Sequence, residues 1–280
     1  MSNRRKFLHQ TLVGVAGAGL IPFSSSAAVQ PAITGNTEEL AIGIAGYTFA
    51  KFSIDQSIAM MKRLNITNLS LKDIHLPITS TDADINNAVT KFKNAGINIY
   101  TVGVIYMKTK ETVDTAFEYA KKVGVSMIVG VPSYDLIEYA TEKVKQYDMK
   151  LAIHNHGPED ALYPAPSDVY NRIKDLDARV GMCIDIGHSL RAGTLPEKAI
   201  KDYKDRLFDI HIKDINAAAK DGKAIEIGRG VIHINEVIAT LKKIQYKGYC
   251  SIEFEKDMYD PLAGIAESIG YFKGVMRSTK

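Results

Sequence analysis

Four short apolar runs in the second half of the chain end in side chains that bind metals or move protons. LAIHNHG carries His154 and His156, GMCIDIGHS carries Asp185 and His188, LFDIHIKD carries His211 and Lys213, and CSIEFE carries Glu253 and Glu255. An ionisable group at the end of a buried strand is costly unless it is paired or ligates a metal. Taken singly, a strand-end Asp ordinarily caps the helix that follows, and a lone His is ordinarily a hydrogen-bonded interior residue. Their joint placement at successive run ends points to one shared site. An Asp, a His, a further His or Glu and another Glu suit a borderline divalent ion such as Mn, Co or Zn better than calcium, which prefers oxygen throughout.

The elements that position these groups alternate from Leu40 onward. AIGIAGYTF reads as a strand, and SIDQSIAMMKRLN as a helix with Ile54, Ile58, Met61 and Leu64 on one face. NLSLKD and DADINNAVTKFKNAG follow, then INIYTVGVIY and KETVDTAFEYAKKVG, then SMIVGVP and YDLIEYATEKVKQYD. The second half continues with KLAIHNHG and SDVYNRIKDLD, VGMCIDIGH and LPEKAIKDYKD, RLFDIHIKD and HINEVIATLKKIQ, and finally GYCSIEFE with a closing helix from Pro261. Eight strand-helix pairs are what a (β/α)8 TIM barrel requires, in one domain over residues 40–280. In such a barrel the loops after the strands converge on one mouth, which is where the chemical residues of this chain fall. Lys72 and His75, after the second strand, join the same rim. His154 and His156 are two apart on an extended run and therefore point the same way.

Residues 1–28 are set apart from this pattern. NRRKFLHQ, the uncharged TLVGVAGAGLIPF and the small-residue run SSSAA read as a signal peptide. Arg4-Arg5 followed by Phe7-Leu8 resembles the twin-arginine export signal, so export to the periplasm is the expectation. The apolar stretch is too short and too rich in Gly and Ala to span a bilayer, and no later run is long enough; no stable membrane insertion is expected after signal removal. The whole chain has 35 basic and 32 acidic residues. Removing the signal takes away three basic residues and leaves a near-neutral protein, which argues against a nucleic-acid partner. Two cysteines, Cys183 and Cys250, sit inside strand-like runs and read as buried free thiols rather than a disulfide framework.

From Leu40 to the C-terminus the chain resembles the xylose-isomerase-like barrel superfamily, in its sugar phosphate isomerase/epimerase branch. The likeness rests on IDIGH at 184–188, HIKD at 211–214, the IGRG loop at 227–230 and IEFE at 252–255. The resemblance implies a divalent ion held by a Glu ending strand five, an Asp ending strand six, a His ending strand seven and a Glu ending strand eight. Asp185, His211 and Glu253 fall on the last three positions. At the first, Ile153-His154-Asn155-His156 stands where many relatives read I-E-N-H. Three replacements for the missing carboxylate stand open: His154 as a neutral ligand, Glu159 swinging in, or His156 moving the proton. The expected metal set is His154, Asp185, His211 and Glu253.

The implied chemistry is proton abstraction next to a sugar carbonyl, through an enediolate held at the ion. Glu253, His156 and Lys213 are the expected catalytic groups, with Lys72, His75, His188 and Arg229 gripping the substrate. Return of the proton gives an isomerase or epimerase acting on a sugar or keto-sugar. Loss of a β-substituent would make the protein a 3-keto-glycoside lyase, and loss of the base would leave a non-catalytic sugar-binding protein. Export favours unphosphorylated substrates, and IGRG is too short to argue for a phosphate cradle. An endonuclease reading would need more His ligands and a basic face. A homo-oligomer is compatible with everything in the sequence.

Overall fold

The computed structural model describes residues 39–279; the signal peptide expected over residues 1–28 lies outside them. Eight parallel strands close into a barrel: β1 (Ala41–Ala45), β2 (Asn68–Leu71), β3 (Asn98–Met107), β4 (Met127–Pro132), β5 (Lys150–His154), β6 (Val180–Asp185), β7 (Leu207–Ile212) and β10 (Tyr249–Ile252). Each pairs with its sequence neighbour in the barrel, and β1 closes the ring against both β2 and β10. A closed ring leaves no sheet edge exposed.

Helices wrap the outside: α1 (Ile54–Leu64), α2 (Asp82–Asn94), α3 (Lys110–Val123), α4 (Ile137–Tyr147), α5 (Pro166–Ile173), α6 (Ile186–Arg191), α7 (Pro196–Asp202), α8 (Ile234–Lys243) and α9 (Leu262–Ser278). Their starts are written locally. Ser53 accepts from Gln56 N–H while the Gln56 side chain accepts from Ser53 N–H, a capping box that opens α1. On α8 the buried residues Ile234, Val237, Ile238 and Leu241 recur at the helical period and face the barrel. Burying each contributes about 1.5–3 kcal/mol. β6 is buried along its whole length, as a parallel strand covered on both sides must be.

Three local features depart from the sequence reading. β5 stops at His154, so His156 lies in the following loop rather than on the strand. β6 runs directly into the short helix α6, which the sequence reading took for part of the strand and its loop. After β7 the chain forms a small antiparallel arm, β8 (Asp214–Ile215) against β9 (Ala224–Ile225), before α8. Cys183 and Cys250 are free and buried, as expected.

Register sets the height of each group. Asp185 pairs with His211, and His211 with Ser251, the residue two before Glu253. Cys183 pairs with both His154 and Asp209, one step lower in the barrel. The candidate ligands of β6 and β7 thus share a level at the carboxyl end of the barrel. No helix among the described residues is long and apolar enough to cross a membrane.

Candidate active site

Asp185 is the last residue of β6 and the N-cap of α6, and its two oxygens divide the work. Oδ1 accepts from His188 N–H at 2.8 Å and starts the helix. Oδ2 faces the barrel mouth, where the Lys213 ammonium lies 3.0 Å away. Asn155 fixes the peptide: its Oδ1 accepts from Asp185 N–H at 3.0 Å, and its Nδ2 donates to the Asp185 carbonyl at 3.2 Å. The capping role and the ligand role are compatible because each uses a different oxygen.

Four donor atoms converge at the mouth. His154 Nε2 and His211 Nδ1 are 3.1 Å apart, His211 Nδ1 is 3.3 Å from Glu253 Oε2, and Asp185 Oδ2 lies 3.7 Å from His154 Nε2 and 4.0 Å from His211 Nδ1. Bonds of about 2.0–2.2 Å to a tetrahedral ion would hold ligand atoms about 3.3–3.6 Å apart. The set can therefore close on one divalent ion with small adjustments, and all four residues are buried. Asp185 Oδ2 makes no well-directed hydrogen bond and is met by the Lys213 ammonium at 3.0 Å, so it keeps lone pairs with which to bind an ion.

Lys213 Nζ stands among these carboxylates, 3.0 Å from Asp185 Oδ2 and 2.7 Å from Glu253 Oε2, and pairs also with Glu255 Oε1. Its stem crosses Gly187, where an added Cβ would come within 2.6 Å of Lys213 Cγ and Cδ. The glycine of IDIGH is thus required by this close approach.

Burial and charge set the protonation of the group. Burial alone would lower the Lys213 pKa, but Asp185, Glu253 and Glu255 hold it well above the ordinary lysine value. Burial would raise both carboxyls, yet Lys213 first, then His188 at Asp185 and His211 at Glu253, hold them below the usual carboxylate range. Burial keeps His154 far below the ordinary imidazole value, with His156 nearby adding to the shift. His211 goes the other way: burial opposes its proton, but Cys183 and Glu253 outweigh it. Burial likewise lowers His156, and takes His188 down to about 4. Burial thus favours the neutral forms of His154, His156 and His188, while its neighbours favour a proton on His211 that it would give up on ligating an ion.

Above the cluster is a cavity of about 420 Å³, lined by Lys72, Tyr106, His154, His156, His188, His211, Glu253 and Glu255, with Tyr47 and Ile74 on its apolar side. Ring centres run from His156 to His154 at 4.4 Å and from His154 to His211 at 4.7 Å, with Glu253 beyond. His156 and Glu253 both line the cavity, at the two ends of this run of contacts. The Tyr106 hydroxyl lies 3.2 Å from His156 Nδ1. A second hollow of about 480 Å³, lined by Lys213 and reaching Arg191, Lys223 and Lys256, shares His188 and Glu255 with the first.

Not every expected residue reaches the mouth. Lys72 lines the cavity, its Nζ donating to the Val104 carbonyl at 2.6 Å. His75 does not; its Nε2 donates to the Phe49 carbonyl at 2.9 Å, and burial lowers its pKa so that it is neutral. Arg229 points away and pairs with Glu267 on α9, outside the cavity. Glu159 is bound by Arg191, away from the four donors, which corrects the alternative in which it completes the ligand set. The IGRG loop wraps the buried Asp214 carboxylate instead of a phosphate. Gly228 N–H and Gly230 N–H donate to its Oδ2, Ile215 N–H and Ile232 N–H to its Oδ1, and an added Cβ at Gly230 would fall 2.1 Å from Oδ1. Tyr106 and Glu255 are the mouth residues for which the sequence reading assigned no role. Counting in twos along β3 would not have found Tyr106, because the ladder to β4 shifts register between Val102 and Ile105.

The family described as the xylose isomerase-like TIM barrel matches residues 71–275. Among curated proteins, inosose dehydratase from Bacillus thuringiensis is 25% identical over 138 residues, 44% of this chain and 46% of that one. The chain spans under half the length of the curated relatives it matches. Among solved structures, a 3-keto-D-glucoside 4-epimerase from E. coli aligns over 84% of this chain and 100% of its own with a TM-score of 0.69 and 15% identity. The IOLI protein, solved with a bound zinc atom, aligns over 86% of this chain and 99% of its own with a TM-score of 0.72 and 15% identity. The relatives and neighbours named for an activity include a dehydratase and epimerases.

Proposed function

We propose that this chain, which belongs to the xylose isomerase-like TIM barrel family, is a metal-dependent isomerase or epimerase that moves a proton next to the carbonyl of a sugar or keto-sugar. The observation that carries the reading is the convergence of His154, Asp185, His211 and Glu253 beneath a cavity lined by two proton-transfer groups. A divalent ion held by those four residues would polarise a substrate carbonyl and acidify the C–H beside it. Glu253, held as the anion, is placed to take that proton. His156, its pKa lowered by burial, lines the same cavity beside His154 and is the second group able to accept or return a proton. Lys213, beside Glu253, steadies negative charge that builds on a substrate oxygen. Lys72 and His188 bound the cavity and orient hydroxyls. A volume of about 420 Å³ suits a monosaccharide or a small glycoside.

The likeness to inosose dehydratase favours a second reading, β-elimination, which begins with the same proton abstraction. A 3-keto glycoside would then lose its substituent instead of regaining the proton. The export expected from Arg4-Arg5 directs either reading to unphosphorylated sugars. The test is incubation of the metal-loaded protein with unphosphorylated ketoses and with 3-keto glucosides in deuterated water, followed by NMR. Deuterium at the carbon beside the carbonyl, with a new sugar isomer, supports the first reading; release of the aglycone supports the second. Tight binding with neither exchange nor release would leave a binding protein and sink both.

A further inference from the structure

Lys213 competes for the oxygens that would hold the ion. Its ammonium contacts Asp185 Oδ2 and Glu253 Oε2, the same two atoms that meet the imidazole nitrogens of His154 and His211. Two cations on one pair of buried oxygens repel strongly, because little solvent screens them there. A third carboxylate offers an alternative. Glu255 Oε1 already pairs with the ammonium, and its side chain is 31% exposed where those of Asp185 and Glu253 are 0% and 8%. Lys213 and Glu255 also line the second hollow, so the ammonium has space on that side. The sequence spacing matches: HIK and EFE each place one centre residue and, two positions on, one member of this outer pair.

We propose that Lys213 is the counter-ion of the metal-free centre and that its ammonium withdraws to Glu255 when a divalent ion takes Asp185 and Glu253. The proposal rests on the metal reading above. It gives Glu255 a role that neither capping nor packing explains, as the group that lets one lysine serve two states of the site. Glu255 lines both hollows, so an ammonium held by it stays at the edge of the substrate cavity.

The test is calorimetric titration of zinc into the chelator-stripped full chain, comparing wild type, Lys213→Met and Glu255→Gln, with thermal unfolding of the stripped and loaded forms. Lys213→Met should bind zinc at least about tenfold more tightly, since a competing buried cation is gone. Its stripped form should melt below wild type, and loading should close the gap. Glu255→Gln should bind zinc about three- to tenfold more weakly, because the ammonium loses its alternative partner and stays on the ligand carboxylates. Zinc binding by Lys213→Met that is no tighter than wild type overturns the exchange and leaves the metal reading standing. Should Lys213→Met fail to fold, Glu255→Gln decides: weaker binding supports the exchange, and equal or tighter binding overturns it. No zinc binding by any of the three proteins overturns the exchange and the metal reading together.

Discussion

Asp185 gives one oxygen to the cap of α6 and turns the other to the proposed ion site, so two substitutions should pull these roles apart. Asparagine keeps an oxygen that can accept from His188 N–H and cap α6, but removes the charge at the mouth. Alanine removes both. The lost charge deprives Lys213 of one of three partners and leaves Glu253 and Glu255 in place. A hydrogen bond or contact to a charged group is worth about 1.5–3 kcal/mol, less than the full penalty of an unpaired buried charge. The cap adds about 1 kcal/mol. Asp185→Asn should thus destabilise the metal-free protein by about 1.5–3 kcal/mol, and Asp185→Ala by about 1 kcal/mol more. Metal binding should not follow that order: both should lose at least about a hundredfold in zinc affinity, since even residues behind a ligand can be worth 10–100-fold. Urea unfolding reads the first quantity and competitive zinc titration the second. Retention of zinc by Asp185→Asn within about threefold of wild type would refute the assignment of Oδ2 as a ligand.

Asp214→Ala leaves the N–H groups of Ile215, Gly228, Gly230 and Ile232 without their shared acceptor, and should destabilise the fold by at least about 3 kcal/mol in urea unfolding. Asp209 is buried on β7, its carboxyl pushed up to about 7 by burial. Because the folded value lies above the unfolded one, its stabilising share is complete below about pH 4 and is lost as pH rises towards 7, at up to about 1.4 kcal/mol per pH unit. Asp209→Asn should flatten that slope in unfolding curves taken across this range. His154→Glu supplies the strand-five carboxylate that the family resemblance implies; it should lower the melting point of the metal-free protein and raise zinc affinity by about tenfold or more, as calorimetry would show.

The barrel was legible because each of its strands is a short, nearly continuous apolar run, which is how parallel strands covered on both faces must read. What lay hidden was set by contacts rather than by period. Helix α6 is six residues long and borrows its cap from the last residue of β6, so no apolar repeat announces it. Arg229 and His75 sit in loops near the mouth in sequence, yet Glu267 claims the first and the Phe49 carbonyl the second. The orientation of IGRG depends on the Asp214 carboxylate, which belongs to the HIKD run and reveals no such role by spacing. His154 and His156 do share the mouth, but only His154 is carried there by strand geometry; His156 arrives on the loop and is held against Tyr106.

The replacement of a glutamate by His154 and the presence of Lys213 belong to one charge balance. Asp185, Glu253 and Glu255 bring three negative charges within reach of Lys213. One ammonium and one divalent ion neutralise them, provided that His154 stays uncharged, which its burial enforces, and that His211 gives up its proton on ligating the ion. A carboxylate at position 154 would leave the loaded centre with an excess negative charge in a region from which water is largely excluded, a state that burial penalises. With imidazole there, both cations fit without surplus. The ion would also keep more of its charge for the substrate, because two of its four ligands are neutral and donate less to it than carboxylates do. The altered strand-five ending therefore need not mark a lost activity. It matches a centre in which the second positive charge comes from a lysine of the protein itself.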